Sequence, residues 1–159
     1  MSQQYSAQEL LKISVSVENN GKKLYEKLEN KTGDAKLKAL WKYLKDQESE
    51  HAAKFQGMLD AIGDSAVKGV DEREYEAYFS AIASLYVFSQ SVIKKAIDGD
   101  FKTDREAVEF AIGIEKDSIL TYSALREYLR LDKQGGLEKI IREEQKHLID
   151  LLAVKQRVK

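Results

Sequence analysis

Residues 6–28 and 103–125 are two copies of one pattern, and a fold for this chain has to give both copies the same structure. A shift of 97 lays SAQELLKISVSVENNGKKLYEKL over TDREAVEFAIGIEKDSILTYSAL without a gap. Ser6-x-x-Glu9 then meets Thr103-x-x-Glu106, two helix-opening capping boxes. Glu18 falls on Glu115, Tyr25 on Tyr122 and Leu28 on Leu125. Taken alone, the first copy points elsewhere: Ile13, Val15 and Val17 alternate with serines as in a strand, and Asn20-Gly21 is a hairpin signal. The second copy has no Asn-Gly and reads as an amphipathic helix, so both are assigned to helix. Asn20 and Gly21 then cost the first helix about 1–2 kcal/mol in propensity, which packing has to offset.

A second helical segment follows each copy. Residues 33–62 and 135–159 align at a shift of 96, and the breaks at Thr32-Gly33-Asp34 and Gln134-Gly135-Gly136 are short enough to make antiparallel neighbours. Asp34 is a candidate N-cap. The expected layout is one domain over 1–159, with a helix pair at 6–60, a crossover at 61–102 and a helix pair at 103–158. Within the crossover, 71–84 and 87–97 carry shorter helical patterns. An all-α four-helix bundle with one long helical crossover between helices 2 and 3 has the ferritin-like topology. The crossover positions Tyr75, Tyr78, Phe79, Ile82, Leu85, Tyr86, Phe88 and Ile93 are too apolar to leave in water. They are expected to cap the bundle or to build a subunit interface, and the second use, a homodimer, is favoured.

Composition excludes several alternatives. Proline is absent, so nothing interrupts long helices, and the absence of cysteine removes disulfides, thiol catalysis and cysteine-bound metal clusters. With 33% charged residues and a net charge of -1, neither nucleic acid nor an anionic membrane is the expected partner. The polar start MSQQYSAQ does not resemble a signal peptide and no apolar run is long enough to span a bilayer; a cytoplasmic protein is expected.

Each long helix carries a stripe spaced three and four residues apart, apolar at both ends and polar in the middle. The stripes are Leu11, Val15, Glu18, Gly21, Tyr25, Leu28; Leu37, Leu40, Leu44, Glu48, His51, Phe55, Met58; Val108, Ile112, Glu115, Ser118, Tyr122, Leu125; and Leu137, Ile140, Glu144, His147, Leu151, Val154. Four carboxylates and the chain's 2 histidines thus converge at one level of a bundle. A single buried Glu would be read as an ion pair with Lys or a charge at a frayed edge. Four together are costly unless cations compensate them, and two divalent ions would make the site electroneutral. One Glu from each of two helices plus Glu-x-x-His from each of the other two is the di-iron and di-manganese plan. Two divalent metal ions are the expected cofactor, and ligand type alone leaves iron, manganese and zinc open. Tyr25 and Tyr122, on the same stripes, are candidates for a catalytic role beside the metals. They would either hydrogen-bond a carboxylate ligand or guard against stray oxidation, and core packing is the equal alternative. Gly21 either leaves room for an oxidant or allows close helix packing, and Trp41 is assigned to packing.

Through Glu18, ESEH at 48–51, EKDSILTY at 115–122 and EEQKH at 143–147, the chain resembles the rubrerythrin family of ferritin-like proteins over its whole length. The resemblance implies that Glu48 and Glu144 bridge two irons, Glu18 and His51 serving mainly one and Glu115 and His147 the other. It also implies reaction with hydrogen peroxide or dioxygen in oxidative-stress defence. Rubrerythrins usually add a cysteine-bound rubredoxin-type iron centre. This chain has no cysteine, so an external electron donor is expected. They also carry a further Glu three residues after the third-helix ligand, where Ser118 stands here. The expected function is a di-iron oxidoreductase acting on a small-molecule oxidant; the alternative is an iron-binding or ferroxidase protein without peroxidase turnover.

Overall fold

Helix α1 (Ala7–Lys31) runs through Val15, Val17, Asn20 and Gly21 without a break, so the strand-like alternation and the Asn-Gly pair are overridden by packing. A computed structural model describes residues 7–62, 81, 84, 90–129 and 135–159. It continues with α2 (Ala35–Ile62), a helical stretch at 90–98 (α3), α4 (Asp104–Leu129) and α5 (Gly135–Lys155). Among the described residues there is no strand. Both described helix starts with candidate caps use them. The Leu37 amide donates to Asp34 Oδ1 at 2.8 Å and the Glu106 amide to Thr103 Oγ1 at 3.1 Å. The Glu106 carboxylate reaches back one residue beyond the cap and accepts from the Lys102 amide at 2.9 Å. The matching box at Ser6 lies outside the described residues.

The four long helices form an all-α bundle of the ferritin-like kind. Helix α1 packs on α2 and α4 on α5, and α1–α4 and α2–α5 contacts close the halves together. Its core is divided in two. One apolar cluster gathers Leu11, Phe55, Tyr122, Leu125, Leu137 and Ile140; the other gathers Tyr25, Trp41, Leu44, Val108, Ile114 and Leu151. Helix α3 belongs to the crossover and is held on α1: Lys27 Nζ donates to the carbonyls of Ala96 and Ile97 at 3.2 and 2.9 Å, covering its C-terminal end. Ile93, one of the apolar crossover positions, is buried in the second cluster. The other seven lie outside the described residues.

The stripes need correction at two places. Ser14 and Ala111, equivalent in the repeat, are buried, whereas Val15 and Ile112 are only partly so. Small residues take the interior side of that turn and the larger neighbours sit at its edge. In α2, Trp41 is 1% exposed and takes the inward place assigned to Leu40, which is partly buried.

Candidate metal centre

Between the two apolar clusters lies a polar layer built from the middle turn of each long helix. Helix α1 supplies Glu18, α2 Glu48 and His51, α4 Glu115, and α5 Glu144 and His147, none more than 5% exposed. The three-residue spacing puts Glu48 with His51, and Glu144 with His147, on single helix faces. All six meet in two overlapping groups: Glu18, Glu48, His51 and Glu144, then Glu48, Glu115, Glu144 and His147. Within each group one donor atom per residue lies within 4.8 Å of the others. Ligands about 2.1 Å from a metal stand at most about 4.2 Å apart, so less than an ångström of closure would suit an ion. Glu48 and Glu144 belong to both groups; the other four belong to one each.

The hydrogen bonding of the layer is incomplete in the way a metal site requires. Tyr122 donates its hydroxyl to Glu18 Oε1, and Tyr25 donates to Glu115 Oε1, each tyrosine crossing to the carboxylate of the other helix. The second oxygens, Glu18 Oε2 and Glu115 Oε2, have no hydrogen-bond partner; each stands 3.5 Å from a histidine Nδ1, of His51 and His147 respectively. Glu144 faces both rings, Oε1 2.7 Å from His51 Nδ1 and Oε2 3.2 Å from His147 Nδ1. The first of these contacts is close without the alignment of a hydrogen bond, leaving both atoms unpartnered. Buried acceptors without donors are costly, and a cation at each cluster would satisfy them. The residues present fit two divalent ions.

Electrostatics without metal point the same way. Burial and the surrounding carboxylates, Glu18 first, raise Glu48 well above the usual range. Burial and the Glu144 charge push Glu115 up to about 8. Burial opposes the charge on both imidazoles, but the adjacent carboxylates outweigh it and raise His51 to about 11 and His147 to about 9. For Glu144, the adjacent Glu115 and the two histidine rings outweigh burial and hold its carboxyl below the usual range. Protons therefore do in the metal-free layer what cations would do in the loaded one. Tyr25 is raised well above its ordinary value by burial and by Glu115, so it stays a donor.

Gly21 has a specific neighbour. A Cβ placed there would stand 2.5 Å from Glu48 Oε2, so the missing side chain admits the Glu48 carboxylate against α1. Of the two uses considered for Gly21, this contact is the close-packing one. Trp41 stacks on Tyr25 with centroids 5.7 Å apart and planes 14° apart, and Phe55 packs on Tyr122 at 4.8 Å. One polar neighbour was not identified as functional from sequence: Glu143 Oε2 lies 3.0 Å from His51 Nε2. Its only signal was adjacency to Glu144 in EEQKH, where a charged residue otherwise reads as solvated surface.

Fold and site together define a ferritin-like, metal-binding helical bundle. The rubrerythrin family model matches residues 9–155, and the chain belongs to that family. Among solved structures, it is similar to a Thermotoga maritima protein described as ferritin-like and diiron-carboxylate. The two share 27% identity with a TM-score of 0.71, over 98% of each chain. A comparison with curated proteins gives no significant match.

Proposed function

We propose that Glu18, Glu48, His51, Glu115, Glu144 and His147 hold two iron ions and that the loaded centre is an oxidoreductase acting on hydrogen peroxide or dioxygen in oxidative-stress defence. The observation that carries this reading is the pair of overlapping clusters sharing Glu48 and Glu144, with an unpartnered ligand atom facing the site on Glu18, His51, Glu115 and Glu144. The family and the diiron-carboxylate description of the Thermotoga relative support iron over zinc or manganese. Held there in the ferrous state, two irons would supply the two electrons that, with two protons, reduce hydrogen peroxide to two waters.

The chain's own residues set the conditions for that reaction. Glu48 and Glu144 belong to both clusters, so each would be available to either cation. Tyr25 and Tyr122 orient the carboxylates of Glu115 and Glu18, leaving one oxygen of each free for a cation. The apolar clusters above and below keep bulk water out of the layer. Because the chain has no cysteine, reducing equivalents come from a separate donor. The crossover and its apolar positions make a homodimer the assembly we favour, in the cytoplasm. Among the described residues no helix is long and apolar enough to cross a membrane. Iron handling or ferroxidase activity without peroxidase turnover is the second reading, favoured by Ser118 where relatives in the family carry a further carboxylate.

Elemental analysis and an absorption spectrum of protein purified without added metal test the proposal. About two irons per chain and a near-ultraviolet band bleached by reductant and restored by peroxide are expected. Zinc or manganese in stoichiometric amount, with no such band, would remove the redox assignment. His51→Leu with His147→Leu should abolish metal binding while circular dichroism stays helical, since the flanking stripes are apolar.

A further inference from the structure

The repeat makes the two halves of the polar layer nearly equivalent, and the exception lies behind the histidines. His51 turns Nδ1 toward Glu18 and Glu144, and its other nitrogen, Nε2, meets Glu143 Oε2 at 3.0 Å. Glu143 is itself fixed: Lys54 Nζ donates to the same oxygen at 3.1 Å and Lys139 Nζ stands 3.7 Å from the other, with the Glu143 side chain 22% exposed. His147 presents Nδ1 to Glu115 and Glu144 in the same manner, but its Nε2 is buried with no hydrogen-bond partner among the described residues. Its ring meets Tyr43 edge-on at 5.7 Å. A shift of 96 carries Gln47 onto Glu143, so the half that serves His147 has an amide where the other half has a carboxylate.

We propose that Glu143 is a positioning residue for His51 and that it makes the two metal positions unequal, the Glu18–His51 position binding more tightly and filling first. This rests on the two-metal reading above. A carboxylate accepting from Nε2–H fixes the tautomer that leaves Nδ1 free to ligate, locks the ring plane, and makes Nδ1 a stronger donor. Loss of such a partner typically lowers metal affinity about 10–100-fold. Among the described residues no comparable group fixes the His147 ring, so ion binding there has to include the cost of ordering the tautomer.

Anaerobic titration of metal-free protein with Co(II), followed by its visible absorption, tests the inference. Two resolved equivalents are expected for the parent. Glu143→Ala should weaken the first by about tenfold or more and leave the second unchanged, merging the steps. Gln47→Glu should strengthen the second. In Zn(II)-loaded protein, the His51 Nε2–H proton should be visible and downfield by NMR, and Glu143→Ala should remove it without moving the His147 signals. Two equal equivalents untouched by Glu143→Ala would overturn the inference and leave the two-metal reading standing. Equal weakening of both steps would also overturn it, as a general structural effect. A parent that binds no Co(II) would sink the two-metal reading and this inference with it.

Discussion

Gly21 shows how one residue can be weak for its helix and necessary for the site. Glycine costs a helix interior about 1 kcal/mol relative to alanine, yet an alanine Cβ here would stand 2.5 Å from Glu48 Oε2. That oxygen is the far end of a flexible side chain, so it can swing aside cheaply when no metal holds it. Gly21→Ala should therefore stabilise the metal-free protein by up to about 1 kcal/mol, seen as a higher denaturation midpoint. The same change should weaken metal binding, because the displaced carboxylate belongs to both clusters. If metal affinity is unchanged, Glu48 does not need the room that Gly21 provides. Sequence could expose the six candidate ligands because histidine and glutamate coincided in kind and spacing across the repeat. It could not show Glu48 lying against Gly21, the tyrosines crossing to opposite helices, or Glu143 behind His51. Those are contacts between helices, fixed by how the bundle closes and not by spacing along any one helix.

At the scale of elements, the repeat carried information that local patterns concealed. Ile13, Val15 and Val17 alone suggest a strand, and only the second copy shows that the segment is helical. Helix pairs and breaks were legible because Gly and Asp punctuate them; the Ser14 and Ala111 positions were not, since hydrophobicity favoured the larger Val15 and Ile112 beside them. The caps allow a direct test. Thr103 Oγ1 accepts from the Glu106 amide at 3.1 Å at the start of α4. Thr103→Ala removes that acceptor and should destabilise the protein by about 1 kcal/mol in urea unfolding. Metal content should not change, because Thr103 lies three turns before Glu115. A change below about 0.3 kcal/mol would mean that Glu106 and solvent suffice to cap the helix.

Across the whole molecule, two apolar half-cores are joined through a layer that needs positive charge, and protons and metals compete to provide it. Without metal, His51 and His147 are raised from 6.5 to about 11 and about 9, and Glu115 from 4.5 to about 8. Glu48 is raised well above 4.5 as well. For each of these the folded state holds its proton more firmly than the unfolded chain does. Their stabilising contribution is therefore complete below the unfolded values, 4.5 for the carboxyls and 6.5 for the imidazoles, and is lost as pH climbs through the folded ones. Glu144 has the opposite sign, since its carboxyl is depressed: its contribution is present above 4.5 and lost at lower pH. Metal-free protein should then become less stable from pH 6 to pH 9. Metal binding runs the other way, because ions must displace the protons on His51, His147, Glu48 and Glu115, and higher pH removes that competition. Calorimetric melting of chelator-treated and zinc-loaded protein over this range should give a falling midpoint for the first and a level or rising one for the second. Zinc addition at pH 7 should release protons, measurable in buffers of different ionisation enthalpy. Parallel melting curves with no proton release would show that the six side chains do not exchange protons for metal, and the polar layer would then be a structural charge network.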